Sequence, residues 1–374
     1  MHHYFQGKNP LKQAHKGIPE NHIEEEQGLL GFYGPVSHLV KKNPSTRWVN
    51  IKGPLKPRMF DTVLLNNKTD DLGVWRRLFF NNSMAVYFLN LEKGFQKSAF
   101  RNADGDTIYF CHEGHGDIWT EYGLLSYSKG SYVVVPKCLT HYFVPVSKTK
   151  FLIIENKTSH YQEPDRGIAG RNALYDMQTL GRPDLEELNQ VMATSKKQVL
   201  NIQIKHSNEL TEYEYAEHIF DVESWKGDLF PFTLHMDDIM PINSHRSHLP
   251  PSAHTTFVAR DFVVCSFLPR PLETDEDALK VPFYHQNIDY DEVLFYHDGD
   301  FFSRDNLHAG MLSYHPAGFP HGPHPKARKN ITTKTHTNEY AVMIDSRWPL
   351  HRDESLSAIE LTEYWKSWLE KSSS

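Results

Sequence analysis

Cysteine is scarce in this chain: Cys111, Cys138 and Cys265 are the only three in 374 residues. An odd, widely spaced set argues against a disulfide framework and fits a reducing compartment. Long hydrophobic runs are missing as well. The chain has no stretch of about eighteen apolar residues, the length that would suggest a helical membrane span. The opening Met1-His2-His3-Tyr4 carries no apolar signal-peptide core, so the cytoplasm is the expected location. Positive charge is not in excess, with 40 Lys and Arg against 47 Asp and Glu, a formal charge of −7 and a pI near 6.4. Without a long basic run, neither nucleic acid nor a membrane is an expected partner. What the chain does have is aromatic residues, at 13%, and 23 histidines. One metal needs only a few of these, so most must be ordinary surface or core residues.

The length fits two ordinary domains or one duplicated unit. Residues 1–45 are polar and broken by Gly and Pro, and read as an extended arm rather than core. From 46 to 160 short β-branched and aromatic runs alternate with turn signals, among them Ala85-Val86-Tyr87-Phe88-Leu89 and Ser131-Tyr132-Val133-Val134-Val135. That spacing predicts a jelly-roll barrel. Residues 161–225 read as a connection in which Asp184 caps a short helix through Leu185, Leu188 and Met192. Strands return over 226–350. In 351–374, Leu361, Trp365 and Trp368 form an i, i+4, i+7 stripe that predicts a terminal helix packed on a barrel. The expected class is therefore all-β dominated: two barrels with an N-terminal arm, a partly helical linker and a C-terminal helix.

One stretch carries chemistry. His285, Asn287, Glu292 and Gly299 spell H-x-N-x4-E-x6-G, and Gly310, Pro316, Gly318 and His321 spell G-x5-P-x-G-x2-H. The pair resembles the two signature motifs of a cupin, a small double-sheet barrel with a metal in its mouth. A lone histidine is more often structural; the conjunction of both motifs favours ligation by His285, Glu292 and His321. Asp291 is the main rival to Glu292 as the carboxylate ligand. Two imidazoles and one carboxylate without cysteine favour a non-haem Fe(II) site that uses O2. The set also permits a zinc or manganese isomerase or hydrolase, and a non-catalytic cupin is the third reading. A faint repeat aligns Thr107-x6-Gly114 with Glu292-x6-Gly299, and Pro136–His141 with Pro316–His321. With Thr107 in the carboxylate position, the first barrel is expected to be metal-free.

With these residues in place, the chain resembles the homogentisate 1,2-dioxygenase family from its arm (Tyr4-x-x-Gly7-x-x-Pro10-x-Lys12-x-x-His15) to Pro320-His321-Gly322-Pro323. The resemblance implies ring cleavage of a small aromatic acid by O2 at Fe(II), in tyrosine and phenylalanine breakdown, by a homo-oligomer (a trimer or hexamer). It implies iron ligation by His285, Glu292 and His321, and proton handling by His248, with His245 as rival. It also places His315 and Arg304 against the substrate. The chain departs from the family at Phe283 and Phe301, which stand where the family has tyrosines. A related hydroquinone-type acid is therefore an open alternative to homogentisate itself.

Overall fold

The computed structural model describes residues 5–8, 11, 13–65, 75–195, 197–301, 307–324 and 334–369. Among the described residues the chain forms four sheets. A seven-stranded sheet runs, in spatial order, Phe232–His235, Ser131–Val135, Asp106–Glu113, Thr149–Asn156, Met84–Leu91, Arg76–Phe80 and His351–Arg352. A six-stranded sheet, Glu209–Glu214 through Gly123–Ser128, closes the first barrel over it. The second barrel has a six-stranded sheet ordered Thr255–Val258, Phe262–Phe267, Asn338–Ser346, Asp291–Asp300, Met311–His315 and Arg58–Asp61. Its remaining sheet joins Tyr284–Asn287 to Ile23–Gly28 and Val36–Lys41. β-structure dominates both barrels.

The two large sheets pack against each other. One apolar cluster takes Phe79, Phe88, Phe110 and Tyr132 from the first barrel and Phe257, Phe262, Phe295 and Ile344 from the second. Met84–Leu91 is buried along its whole length, as a strand covered on both faces must be, and it reads as a near-continuous apolar run broken by Asn90 for that reason. The faint repeat has a physical basis at its glycines. Gly114 and Gly299 both have positive φ, and a Cβ on either would lie 2.5 Å or less from a backbone carbonyl oxygen of the neighbouring strand. Only glycine fits such a turn.

The arm is partly core. Glu24, Glu25 and Glu26 look like a solvated acidic run, yet all three are buried. They are served by His15 and His38 on Glu24, and by Lys41 and Ser45 on Glu25. Their strand pairs in parallel with Tyr284–Asn287, with Glu26 opposite His285. The linker helix forms as expected, over Leu185–Ser195, capped by Asp184 Oδ1 accepting from Glu187 N–H. The C-terminal segment differs: it forms two 3-10 turns, Glu354–Ala358 and Tyr364–Trp368, instead of one helix. Its backbone is committed elsewhere, since Asp61 N–H donates to Ile359 O and Leu361 N–H donates to Met59 O. Trp368 nonetheless buries its ring, against Trp48 and His324. Residues 370–374, expected as a tail, lie outside the described residues. Among the described residues no helix is long and apolar enough to cross a membrane.

In the first barrel, Thr107 takes a hydrogen bond from Asn102, and His141 is tied to the Tyr109 hydroxyl. Behind them the buried Glu155 accepts from Lys205 at 2.6 Å, Asn102 at 2.8 Å and Tyr87 at 2.9 Å. Removing the one cation leaves a dry carboxylate uncompensated, so Lys205→Met should cost about 3 kcal/mol. A lowered urea midpoint reads this, and pairing the change with Glu155→Gln should recover part of the loss.

Candidate metal centre

The second barrel brings His285, Glu292 and His321 together, with one donor atom from each within 4.8 Å of the others. The two histidines form an antiparallel bridge. Each backbone N–H donates to the other's carbonyl at 2.9 Å, which sets their rings 4.0 Å apart. Each ring also points its Nδ1 at a carbonyl two residues back, His285 at Phe283 O (3.2 Å) and His321 at Phe319 O (3.3 Å). Such a bond holds the proton on Nδ1 and leaves the Nε2 lone pair for a metal. Those Nε2 atoms lie 4.0 and 3.4 Å from Glu292 Oε2. The donor set and its orientation fit a divalent metal held on one face.

Side chains alternate along a strand, and this alternation separates Glu292 from Asp291. Asp291 faces away, and both its oxygens are committed: Oδ1 to Ala317 N–H, Oδ2 to the Tyr314 hydroxyl and Leu350 N–H. Glu292 has His315 as its cross-strand partner. His315 Nδ1 lies 2.7 Å from Glu292 Oε1, and its ring stacks on His321 at 4.5 Å. Burial opposes ionisation of Glu292, but the imidazoles of His321, His285 and His315 around it hold its carboxyl well below the usual range. On its other flank stands Asp345. Burial, and the charge on Glu292, push the Asp345 carboxyl well above its ordinary pKa, as like charges in one dry site require. Burial and the neighbouring His321 lower the pKa of His285, which favours the neutral, ligating form.

A cavity of about 120 Å³ opens over the three donors, lined also by His248, His254, Arg270, Phe283 and Thr337. His248 is buried, its ring 4.2 Å from that of Phe283 and its Nδ1 3.8 Å from Glu273 Oε1. Burial pulls its pKa down to about 4 despite Glu273. Its Nε2 has no hydrogen-bond partner among the described residues. His245 is exposed and does not line the cavity. Neither does His315, which sits behind Glu292, nor Phe301, which packs on Tyr296 in an apolar cluster. Arg304 lies outside the described residues.

Sequence reasoning missed Arg270 and Asp345. Arg270 donates from Nη1 to Leu268 O at 3.4 Å, and it feels the charges of Glu339, which also lines the cavity, and of Glu273. No motif surrounds either residue; only the strand pairing aims them at the site.

The model described as "Homogentisate 1,2-dioxygenase N-terminal" matches residues 69–236. The chain is 31% identical over 364 residues to a "Putative dioxygenase" of Saccharolobus solfataricus, covering 92% of this chain and 93% of that protein. It is 27% identical over 258 residues to homogentisate 1,2-dioxygenase of Drosophila melanogaster, covering 66% of this chain and 56% of that protein. The match thus spans about half the length of that enzyme. Among solved structures, a mutant oxalate decarboxylase of Bacillus subtilis superposes with a TM-score of 0.39 at 13% identity, over 83% of this chain and 81% of that one.

The geometry separates the two acidic neighbours experimentally. Glu292→Ala should abolish bound divalent metal, measured by elemental analysis after desalting. Asp291→Asn should keep the metal and lower the melting temperature instead. His315→Ala should weaken metal affinity about 10–100-fold, because it removes the group that orients Glu292.

Proposed function

Because the chain belongs to the homogentisate 1,2-dioxygenase family, we propose that it is an Fe(II)-dependent dioxygenase that opens the ring of homogentisate or a closely related hydroquinone-type aromatic acid. The observation that carries this reading is the facial set of His285, Glu292 and His321 at the base of a cavity that also holds a cation and a neutral base. When bound, iron supplies the electron coupling between an aromatic ring and O2 that no side chain can provide.

The chain's own residues do the rest. Phe283 gives the cavity an aromatic wall for the substrate ring, without the hydroxyl of a tyrosine. A cavity of about 120 Å³ is on the scale that holds a single aromatic ring. Arg270 presents a guanidinium to the same space, and a carboxylate is the ligand that completes it with charge-assisted hydrogen bonds. His248, with Glu273 beside its Nδ1, has an Nε2 lone pair that accepts the proton of a substrate hydroxyl. His315 keeps Glu292 turned toward the two ligand imidazoles. Arg304 adds a second positive charge in this reading, by resemblance alone.

Anaerobic loading with Fe(II), followed by oxygen-electrode assays across dihydroxy aromatic acids, tests the proposal. One O2 should be consumed per homogentisate, or per related acid, with loss of the aromatic absorbance. Oxygen uptake that no acid in the panel stimulates, or turnover that is equal with zinc and needs no O2, would overturn it. Two variants divide the roles. His248→Phe should lower kcat by about 10²–10⁴-fold with iron content unchanged. Arg270→Met should raise KM for the acid at least tenfold and leave KM for its methyl ester within twofold.

A further inference from the structure

A second group of side chains has metal-ligand chemistry, and the activity proposed above makes no use of it. His15, Glu24 and His38 each offer a donor atom within 4.8 Å of the others. The strand Ile23–Gly28 accounts for half of this. Glu24 and Glu26 are two apart and share one face, and His38 lies opposite Glu26 across the antiparallel pair. His15 comes from the arm, with its backbone in the left-handed region at φ 62°. Its N–H donates to Glu24 Oε2 at 2.9 Å, and its carbonyl accepts from Leu279 N–H at 2.8 Å.

The donor atoms converge on one oxygen. His15 Nδ1 lies 3.1 Å and His38 Nδ1 2.5 Å from Glu24 Oε1. On the far side of the ring, His15 Nε2 lies 3.4 Å from Glu26 Oε2. His15, Glu24 and Glu26 are buried. His15 Nδ1 and Glu26 Oε2 have no hydrogen bond of good geometry among the described residues. A buried imidazole nitrogen aimed at a carboxylate oxygen, with the opposite nitrogen facing a second carboxylate, is the carboxylate–histidine–metal arrangement.

We propose that His15, Glu24 and His38 form a second site for a divalent first-row transition ion, with Glu26 accepting the Nε2 proton of His15. Charge favours it: two carboxylates and two neutral imidazoles are balanced by one dication. Protons are the competing occupants. Burial opposes a charge on His15, but Glu24 and Glu26 outweigh it and raise its pKa to about 9. The site sits against the catalytic cavity. The His15 ring is 5.4 Å from Phe283 and 5.2 Å from His248, and Glu26 pairs with His285 in the sheet. The bound ion therefore pins the arm to the cavity wall and fixes Phe283 and His248 from behind.

Metal stoichiometry tests this independently of turnover. The whole chain is stripped with a chelator, reloaded with Zn²⁺, desalted and analysed for metal and for folding by circular dichroism. Wild type should hold two ions per chain, and His285→Ala/His321→Ala one. That remaining ion should disappear when Glu24→Gln, which keeps the side-chain shape, is added. Glu26→Gln should weaken it about 10–100-fold. A folded His285→Ala/His321→Ala protein that retains no ion would overturn the proposal. So would retention of the second ion in a folded Glu24→Gln background.

Discussion

Two reciprocal hydrogen bonds between the backbones of His285 and His321 underlie everything at the site. They join residues 36 positions apart, on either side of the strand that carries Glu292. Because the bridge is antiparallel, both imidazoles leave the sheet on the same face. The carbonyls of Phe283 and Phe319 then fix each ring by its Nδ1. The shared face of the three donors is therefore a property of the sheet rather than of three independent side chains. Without the bridge, the same residues would be two histidines beside a buried acid.

Burying that acid is the main electrostatic cost. Glu292 meets Asp345 across one ladder and His315 across the other. The protein separates the two carboxyls by environment: imidazoles favour the charged form of Glu292, while burial and the Glu292 charge favour the protonated form of Asp345. Asp291 is one residue away but belongs to the scaffold, since its two oxygens hold three donors that fix the chain at Tyr314, Ala317 and Leu350.

Much of this could be read from the sequence. The H-x-N-x4-E-x6-G and G-x5-P-x-G-x2-H spacings picked out the three residues that converge, because strand alternation and glycine turns leave a local imprint. The barrel strands were legible as β-branched and aromatic runs, and Asp184 marked the linker helix. The arm was not. Three consecutive glutamates look solvent-facing until His15, His38 and Lys41 supply their partners from elsewhere in the chain. The C-terminal stripe suggested a helix, but long-range bonds to Met59 and Asp61 took the backbone groups a helix would use. Arg270 was invisible because its role depends on where the strand after it returns, which no local pattern encodes.

The central claim is that His285, Glu292 and His321 hold iron on one face, under a cavity for an aromatic acid. The most direct measurement is anomalous diffraction at the iron edge from crystals loaded anaerobically with Fe(II). The account predicts a peak about 2.1 Å from the Nε2 atoms of His285 and His321 and from a Glu292 carboxylate oxygen. It would be contradicted by a loaded crystal in which those three side chains share no iron peak.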